Sequence, residues 1–351
     1  MRNLLISLIV IICITFSCKD KSECEIIDIN LLKNESIVDL HQYSDSLRVI
    51  KLETTEESLI NRIDRIIQDD SILILLDKPN KSVLVFHSSG QFYHTIKHWG
   101  KGNGEYIAIQ AIAVDKERDV IYVFDDNLRK LISYDYKGGF LSEKYLPEYL
   151  MRSFAKRKNG NFLAFTPDII HPLRDGVWEF DSEGNLIREY ADVDSNHKLA
   201  WGTHPYFTNI NEKYSYLNYY DNYIYTLDED KFERILNVHI KQKIPDKYLP
   251  IPDGVDETFT GEYYMPSSLN ETHNFFHFAN YSSVSKPSNI HVFIEKKSNK
   301  LLIAGSLKYD FEDYRNIVEI FSNDGKNLFG VLESSTSNNP ALVVFNLKSF
   351  Q

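Results

Sequence analysis

Cysteine is missing from residue 25 to the end of the 351-residue chain; the three present are Cys13, Cys18 and Cys24. A disulfide framework is thereby excluded, and a long body must be held together by burial of apolar surface. Methionine and glycine are sparse, at 3 and 15 residues, and no window of fifteen residues carries a helical apolar stripe, which argues against a helical architecture. Basic side chains are in deficit, 39 against 50 acidic for a net charge of −11. A phosphate backbone needs a net basic face, so nucleic acid is not the expected partner. The chain also lacks a Gly-x-Ser-x-Gly nucleophile elbow and the dense acidic run of a calcium loop. Against these absences stand 43% apolar and 25% charged residues, with 22 Tyr and 21 Phe. Those proportions belong to a globular chain with a real core and a leaning towards β-structure.

Long apolar runs are confined to the amino terminus. Arg2 supplies one positive charge, and Leu4 to Phe16 is nearly unbroken apolar sequence, too short to cross a ~30 Å hydrocarbon layer but right for the core of an export signal. Thr15-Phe16-Ser17-Cys18 resembles a lipobox, in which a small residue precedes a cysteine that becomes diacylated. Residues 1–17 then form a lipoprotein signal peptide, Cys18 is the lipidation site, and residues 18–46 are a tether. Anchorage must come from the acyl chains, because an acidic protein gains nothing from anionic lipid.

From residue 47 onwards, strand-length apolar runs recur. Ile72–Leu76 and Val83–Phe86 are followed by a turn at Gly90; Ile121–Phe124 and Leu131–Tyr134 by one at Gly139. Phe162–Phe165 and Val177–Phe180 lead to Gly184, and Tyr214–Leu217 and Tyr223–Leu227 to Asp230. These turns are 49, 45 and 46 residues apart, the period of propeller blades, each a small sheet that is unstable until neighbours cover both its faces. Residues 272–350 have room for two more units. The expectation is an all-β, six-bladed β-propeller over residues 47–350 with four-stranded antiparallel blades, its ring closed by the strand at Leu47–Leu52 pairing with the last blade.

The repeat, the segment Gly100-Lys101-Gly102-Asn103-Gly104-Glu105-Tyr106 and the ending Asn339-Pro340-Ala341-Leu342-Val343-Val344-Phe345 together resemble the six-bladed β-propeller lipoproteins of Gram-negative envelopes, a group akin to NHL-repeat propellers. The family usually has proline where Asn103 stands. The resemblance, over residues 45–350, implies the fold and an envelope location, as an outer-membrane lipoprotein whose membrane contact is the lipid on Cys18; it supplies no catalytic residues.

Candidate site residues follow from propeller geometry. Loops between second and third strands, and links between blades, share one face around the channel. On those loops lie His171 with Arg174, and His204 with Tyr206, a set able to bind a carboxylate, a sugar or a metal. Trp201, Tyr219 and Tyr220 offer flat faces for sugar rings or peptides, whereas most other aromatics of the fourth unit are expected to pack between blades. The glycines at 100–104 are expected to serve a tight inter-blade turn and not a phosphate loop. His94 with His98, and His273 with His277, lack the context of a zinc helix, so no metal is expected there. Two functions remain open: a non-catalytic binding or scaffold module for a glycan, peptide or partner protein, without cofactor, or a metal-dependent hydrolase or lyase of the lactonase kind. The latter would hold Ca²⁺ with Asp77, Asp125, Asp126 and Asp221, residues that could equally be turn formers.

Overall fold

The computed structural model describes residues 24–33, 37–166, 176–191, 207–218, 221–243, 263–266, 269–282, 289–322, 325–336 and 338–350. They form the six-bladed propeller. Counting strands outward from the channel, blade 1 is Arg65–Asp69, Ile72–Asp77, Ser82–His87 and Phe92–Ile96, and blade 2 is Ala111–Asp115, Val120–Asp125, Lys130–Asp135 and Phe140–Tyr145. Blade 3 is Ser153–Lys156, Phe162–Thr166, Gly176–Phe180 and Leu186–Ala191; blade 4 is Thr208–Ile210, Lys213–Asn218, Tyr223–Asp228 and Lys231–Ile240. In blade 5 the inner position is shared by Tyr264–Pro266 and Asn270–Glu271, followed by Phe275–Ser282, Ile290–Glu295 and Leu301–Ala304. Blade 6 takes Tyr314–Ser322, Leu328–Ser334 and Ala341–Leu347 from the carboxyl-terminal end and Ser44–Lys51 from the amino-terminal end.

Strand alternation explains why these blades stack. In Ile72–Asp77, Leu73 and Leu75 join a cluster with Phe321, Phe329 and Leu342 of blade 6. Their neighbours Ile74 and Leu76 point the other way, among Ile112, Ile121 and Val123 of blade 2. All four are fully buried, because a period of two sends successive side chains to opposite faces and both faces have a neighbour. Blades 2 and 3 meet through Phe124, Phe154, Phe162 and Trp178. Blades 3 and 4 meet through Phe165, Phe207, Tyr214 and Tyr216, so these aromatics of the fourth unit are inter-blade packing. The ring closes as expected: Val49 pairs with Val343, Leu47 with Phe345 and Lys51 with Ala341, in antiparallel register.

The segment read as a tether departs from that expectation over its described part. Ile26–Ile29 adds a parallel fifth strand to blade 4, pairing Ile26 with Asn237 and Ile29 with Ile240, and Ile27 and Ile29 are buried with Val238 and Phe278. Val38–Asp39 pairs with Leu307–Lys308, and a four-residue helix, Leu40–Tyr43, is capped by the Asp39 carboxylate. The alternation in Ile26-Ile27-Asp28-Ile29 is only four residues long, too short to stand out beside a polar stretch.

Inter-blade links are held by buried polar side chains. Asp125 accepts from the backbone N–H groups of Ile107 (2.6 Å) and Ala108 (3.2 Å) with one oxygen and of Asn127 (2.8 Å) and Leu128 (3.0 Å) with the other. Asp77 does the same for Asn61 (2.7 Å) and Asn80 (3.1 Å). At the ring closure Asn339 takes over: it accepts from Ile60 N (2.9 Å) and donates to Glu53 O (2.9 Å) and Ser58 O (2.8 Å). Removing a buried side chain that satisfies three backbone groups costs about 2–4 kcal/mol. Asn339→Ala is therefore expected to lower unfolding free energy by about that amount in urea titrations, whereas Asn338→Ala at an exposed neighbouring site changes it by less than about 0.5 kcal/mol.

Blade 5 buries a histidine pair, with His277 Nε2 3.1 Å from His291 Nδ1 and Asn270 Nδ2 3.2 Å from His277 Nδ1. An amide nitrogen only donates, so His277 carries its proton on Nε2 and passes it to His291 as a neutral ring. Burial pushes both rings down, His291 to about 4 and His277 further still, with His291 adding to the effect on His277. The unfolded chain binds these protons near pH 6.5 and the folded one does not, so stability is complete above that pH and falls as pH drops towards 4. The slope is about 1.4 kcal/mol per pH unit for each ring. Denaturation at pH 7 and pH 5 is expected to show this loss, and the His277→Gln/His291→Gln double variant a shallower one.

Candidate functional site

Links between blades, and turns between second and third strands, emerge at one end of the wheel. There the repeat places equivalent residues side by side. The residue ahead of each innermost strand donates its backbone N–H to the penultimate residue of the second strand: Asp64 to Leu76, Gln110 to Phe124 and Arg152 to Phe165. The residue just past the second strand is Lys78 in blade 1 and Asp126 in blade 2. One rim thus carries Asp64 and Lys78, then Gln110 and Asp126, then Arg152. Arg65 reaches across the channel, its Nη2 3.0 Å from Phe207 O at the entry to blade 4, which marks this rim as the channel mouth.

Among the described residues of blades 1 to 3, cations outnumber carboxylates at the mouth. Arg62, Arg65, Lys78 and Arg152 stand against Asp64 and Asp126. Arg62 pairs with Asp64, Nη2 to Oδ1 at 2.7 Å. Arg152 Nη1 lies 3.7 Å from Asp126 Oδ2 and 3.4 Å from Gln110 Oε1. That contact fixes the Gln110 amide with its oxygen towards the guanidinium, and leaves Nε2 buried with no acceptor. Lys78 donates its backbone N–H to Asp64 (2.9 Å), yet its ammonium has no hydrogen-bond acceptor among the described residues. Burial pushes that ammonium down to about 8, with Arg152 and Arg62 pushing the same way against the pull of Asp64 and Asp126. Of the five buried side-chain polar atoms without a partner among the described residues, Gln110 Nε2, Asn222 Oδ1 and Asn280 Oδ1 lie towards this end. Each is a cost that a water or a ligand atom would remove.

The residues expected to contact ligand, His171, Arg174, Trp201, His204, Tyr206, Tyr219 and Tyr220, lie outside the described residues, as does Cys18. The four carboxylates of the metal reading are accounted for individually. Asp77 and Asp125 staple inter-blade links, Asp126 faces Arg152, and Asp221 accepts from Tyr223 N (3.1 Å) and the Tyr225 hydroxyl and lies 3.6 Å from Arg234. Among the described residues no three His, Cys, Asp or Glu side chains converge as metal ligands.

The glycine segment is a structural turn. Gly104 has φ +70°, and a Cβ there would sit 2.6 Å from the Phe140 ring. The N–H groups that might have cradled a phosphate are taken by the protein's own carboxylates, Gly102 N by Glu105 (2.7 Å) and Gly104 N by Glu143 (2.9 Å). His98 stacks on Tyr134, and His277 belongs to the buried pair described above.

At the opposite end of the channel a cleft of about 150 Å³ is lined by Asp115, Lys116, Arg118, Lys156, Lys158 and Glu212, below the ~300 Å³ at which ligand pockets usually begin. Its groups serve one another: Lys116 donates to Gln68 O (2.7 Å), and Glu212 accepts from Lys158 N (3.0 Å) and the Tyr214 hydroxyl (3.2 Å). Behind it Arg157 and Glu179 form a buried ion pair at 2.6 Å, with Tyr190, Asn159 and Asn161 completing the carboxylate's bonds. The pair ties blade 3 to Glu229 O of blade 4 (2.7 Å). The channel mouth remains the better site. Its distinguishing property is measurable: acetylation of Lys78 followed by mass spectrometry across pH is expected to give a midpoint near 8.

No curated protein matches the chain. Many solved structures share its fold, and two crystal structures of bacterial proteins illustrate it. One is a candidate exported protein from Bacteroides fragilis, 17% identical, with a TM-score of 0.74 over 92% of this chain and 100% of that one. The other is a member of the DUF4221 family from Bacteroides vulgatus, 12% identical, with a TM-score of 0.55 over 87% of this chain and 97% of that one. At those identities the likeness is one of fold. Residues 24–341 match the model of a domain of unknown function, DUF4934, and the chain belongs to that family.

Proposed function

We propose that the protein is an exported, lipid-anchored module of the cell envelope that binds a glycan, peptide or partner protein at its channel mouth without transforming it. The observation that carries this reading is the division of labour among polar groups. Carboxylates that a metal-dependent hydrolase or lyase would require are occupied by backbone amides, by Tyr225 or by arginines, whereas the Gln110 amide nitrogen is buried at the mouth with no acceptor, close to the half-buried Lys78 ammonium. Export is supported by the apolar amino-terminal run and by the fold shared with a candidate exported protein. An outer-membrane lipoprotein is supported by the Thr15-Phe16-Ser17-Cys18 sequence.

Ile26–Ile29 runs parallel to the outer strand of blade 4 and pairs with its last residues, Asn237–Ile240, while Cys24 Sγ donates to Arg234 O, so the described chain starts about halfway up the outside of that blade, six residues from Cys18. In cells fed an alkynyl fatty acid, the wild-type chain is expected to take up label and sediment with membranes, and Cys18→Ser to lose the label and become soluble. A wild-type chain that is unlabelled and soluble contradicts the anchorage.

A further inference from the structure

We propose that the channel mouth binds a hydroxy-carboxylate, the group that a sugar acid presents, with Arg152 and Lys78 on the carboxylate and Gln110, Asp64 and Asp126 on the neighbouring hydroxyls. The inference deepens the binding reading above and rests on it. Its basis is the alternation of donors and acceptors that the repeat builds around the rim.

Blade by blade, the two equivalent positions read Asp64 and Lys78, then Gln110 and Asp126, then Arg152. A guanidinium is a planar fork that matches a planar carboxylate, and Lys78 adds a point charge beside it. A neutral sugar would leave the Arg152 and Lys78 charges, which lie side by side among the described rim residues, without a counter-charge. Inorganic oxyanions fit less well for the opposite reason. Sulfate only accepts hydrogen bonds and phosphate has at most about two hydroxyls to donate, and Asp64 and Asp126, whose partners Arg62 and Arg152 lie at 2.7 and 3.7 Å, would repel their charge. Hydroxyls both donate and accept, so a carboxylate flanked by hydroxyls satisfies both kinds of group at once. It also gives Gln110 Nε2 the acceptor it lacks. Holding the half-buried Lys78 ammonium near the guanidinium groups of Arg62 and Arg152 disfavours its charged form, the pattern of a group kept for a ligand at the expense of stability.

The test uses the soluble chain from residue 19 onward, which keeps every described element, in thermal-shift and calorimetric titrations with glucuronate, glucose, inorganic phosphate and aspartyl-glutamate. Binding to the folded state raises apparent stability. The expected result is stabilisation by glucuronate, weakened by added salt, with little or none from glucose. Lys78→Met and Arg152→Gln are each expected to weaken glucuronate by about 10- to 100-fold, the loss of one charge-assisted hydrogen bond. Lys81→Met, at a lysine whose ammonium is turned to the Trp99 ring, 5.4 Å from its centroid, leaves the affinity unchanged. Ligand-free melting temperatures of Lys78→Met and Arg152→Gln are measured alongside, and only loss of binding in a variant that melts like the wild type counts as support. Equal stabilisation by glucose or phosphate, stronger stabilisation by the acidic dipeptide, or no response to glucuronate at tens of millimolar overturns the inference. In the first three outcomes the binding module itself survives. Conversion of glucuronate, followed by NMR, overturns both readings.

Discussion

A propeller blade has two apolar faces and no means of burying either by itself, and the whole molecule follows from that constraint. Leu73 and Ile74, adjacent in one strand, are both fully buried because they face different neighbours. Such an arrangement is stable only if it has no end. Closure is made in two ways at the same seam: Ser44–Lys51 completes blade 6 as its outer strand, and Asn339 pins the link that leads on into blade 1. Hydrogen bonding and apolar burial are thus supplied together where the two ends of the chain meet, and no sheet edge is left open there.

Repetition also determines where chemistry can vary. Positions inside a blade are committed to packing on both sides, so most of them are Ile, Leu, Val, Phe or Tyr. Rim positions carry no such obligation. Asp64, Gln110 and Arg152 make the same backbone hydrogen bond in three successive blades, yet they are an acid, an amide and a guanidinium. A uniform scaffold with a non-uniform rim is the pattern expected of a surface shaped by what it binds. Asp77 and Asp125 show the contrasting case: two blades carry the same residue for the same structural task.

The sequence made the second, third and fourth strands legible because these are half of a period-two pattern with glycine or aspartate turns at nearly constant spacing. Innermost strands were not. Arg65–Asp69, Ala111–Asp115, Ser153–Lys156 and Thr208–Ile210 are three to five residues long and mix polar with apolar side chains, since one side of each meets the channel. The mouth was hidden for the same reason, because its residues stand at the ends of those strands. Asp126 was noticed only as a possible metal ligand, and Lys78, Gln110 and Arg152 become neighbours only once the blades are superimposed. Ile26–Ile29 escaped notice because a single short parallel strand leaves almost no pattern behind.

Closure can be measured directly by native-state amide hydrogen exchange, comparing Ser44–Lys51 with its partner Ala341–Leu347. A ring that exists only when sealed opens as a unit, so the two strands are predicted to exchange at the same slow rate, with the same dependence on denaturant as the slowest amides of the other blades. Fast exchange of Ser44–Lys51 while Ala341–Leu347 stays protected would contradict the account, since the wheel would then hold without the strand that closes it.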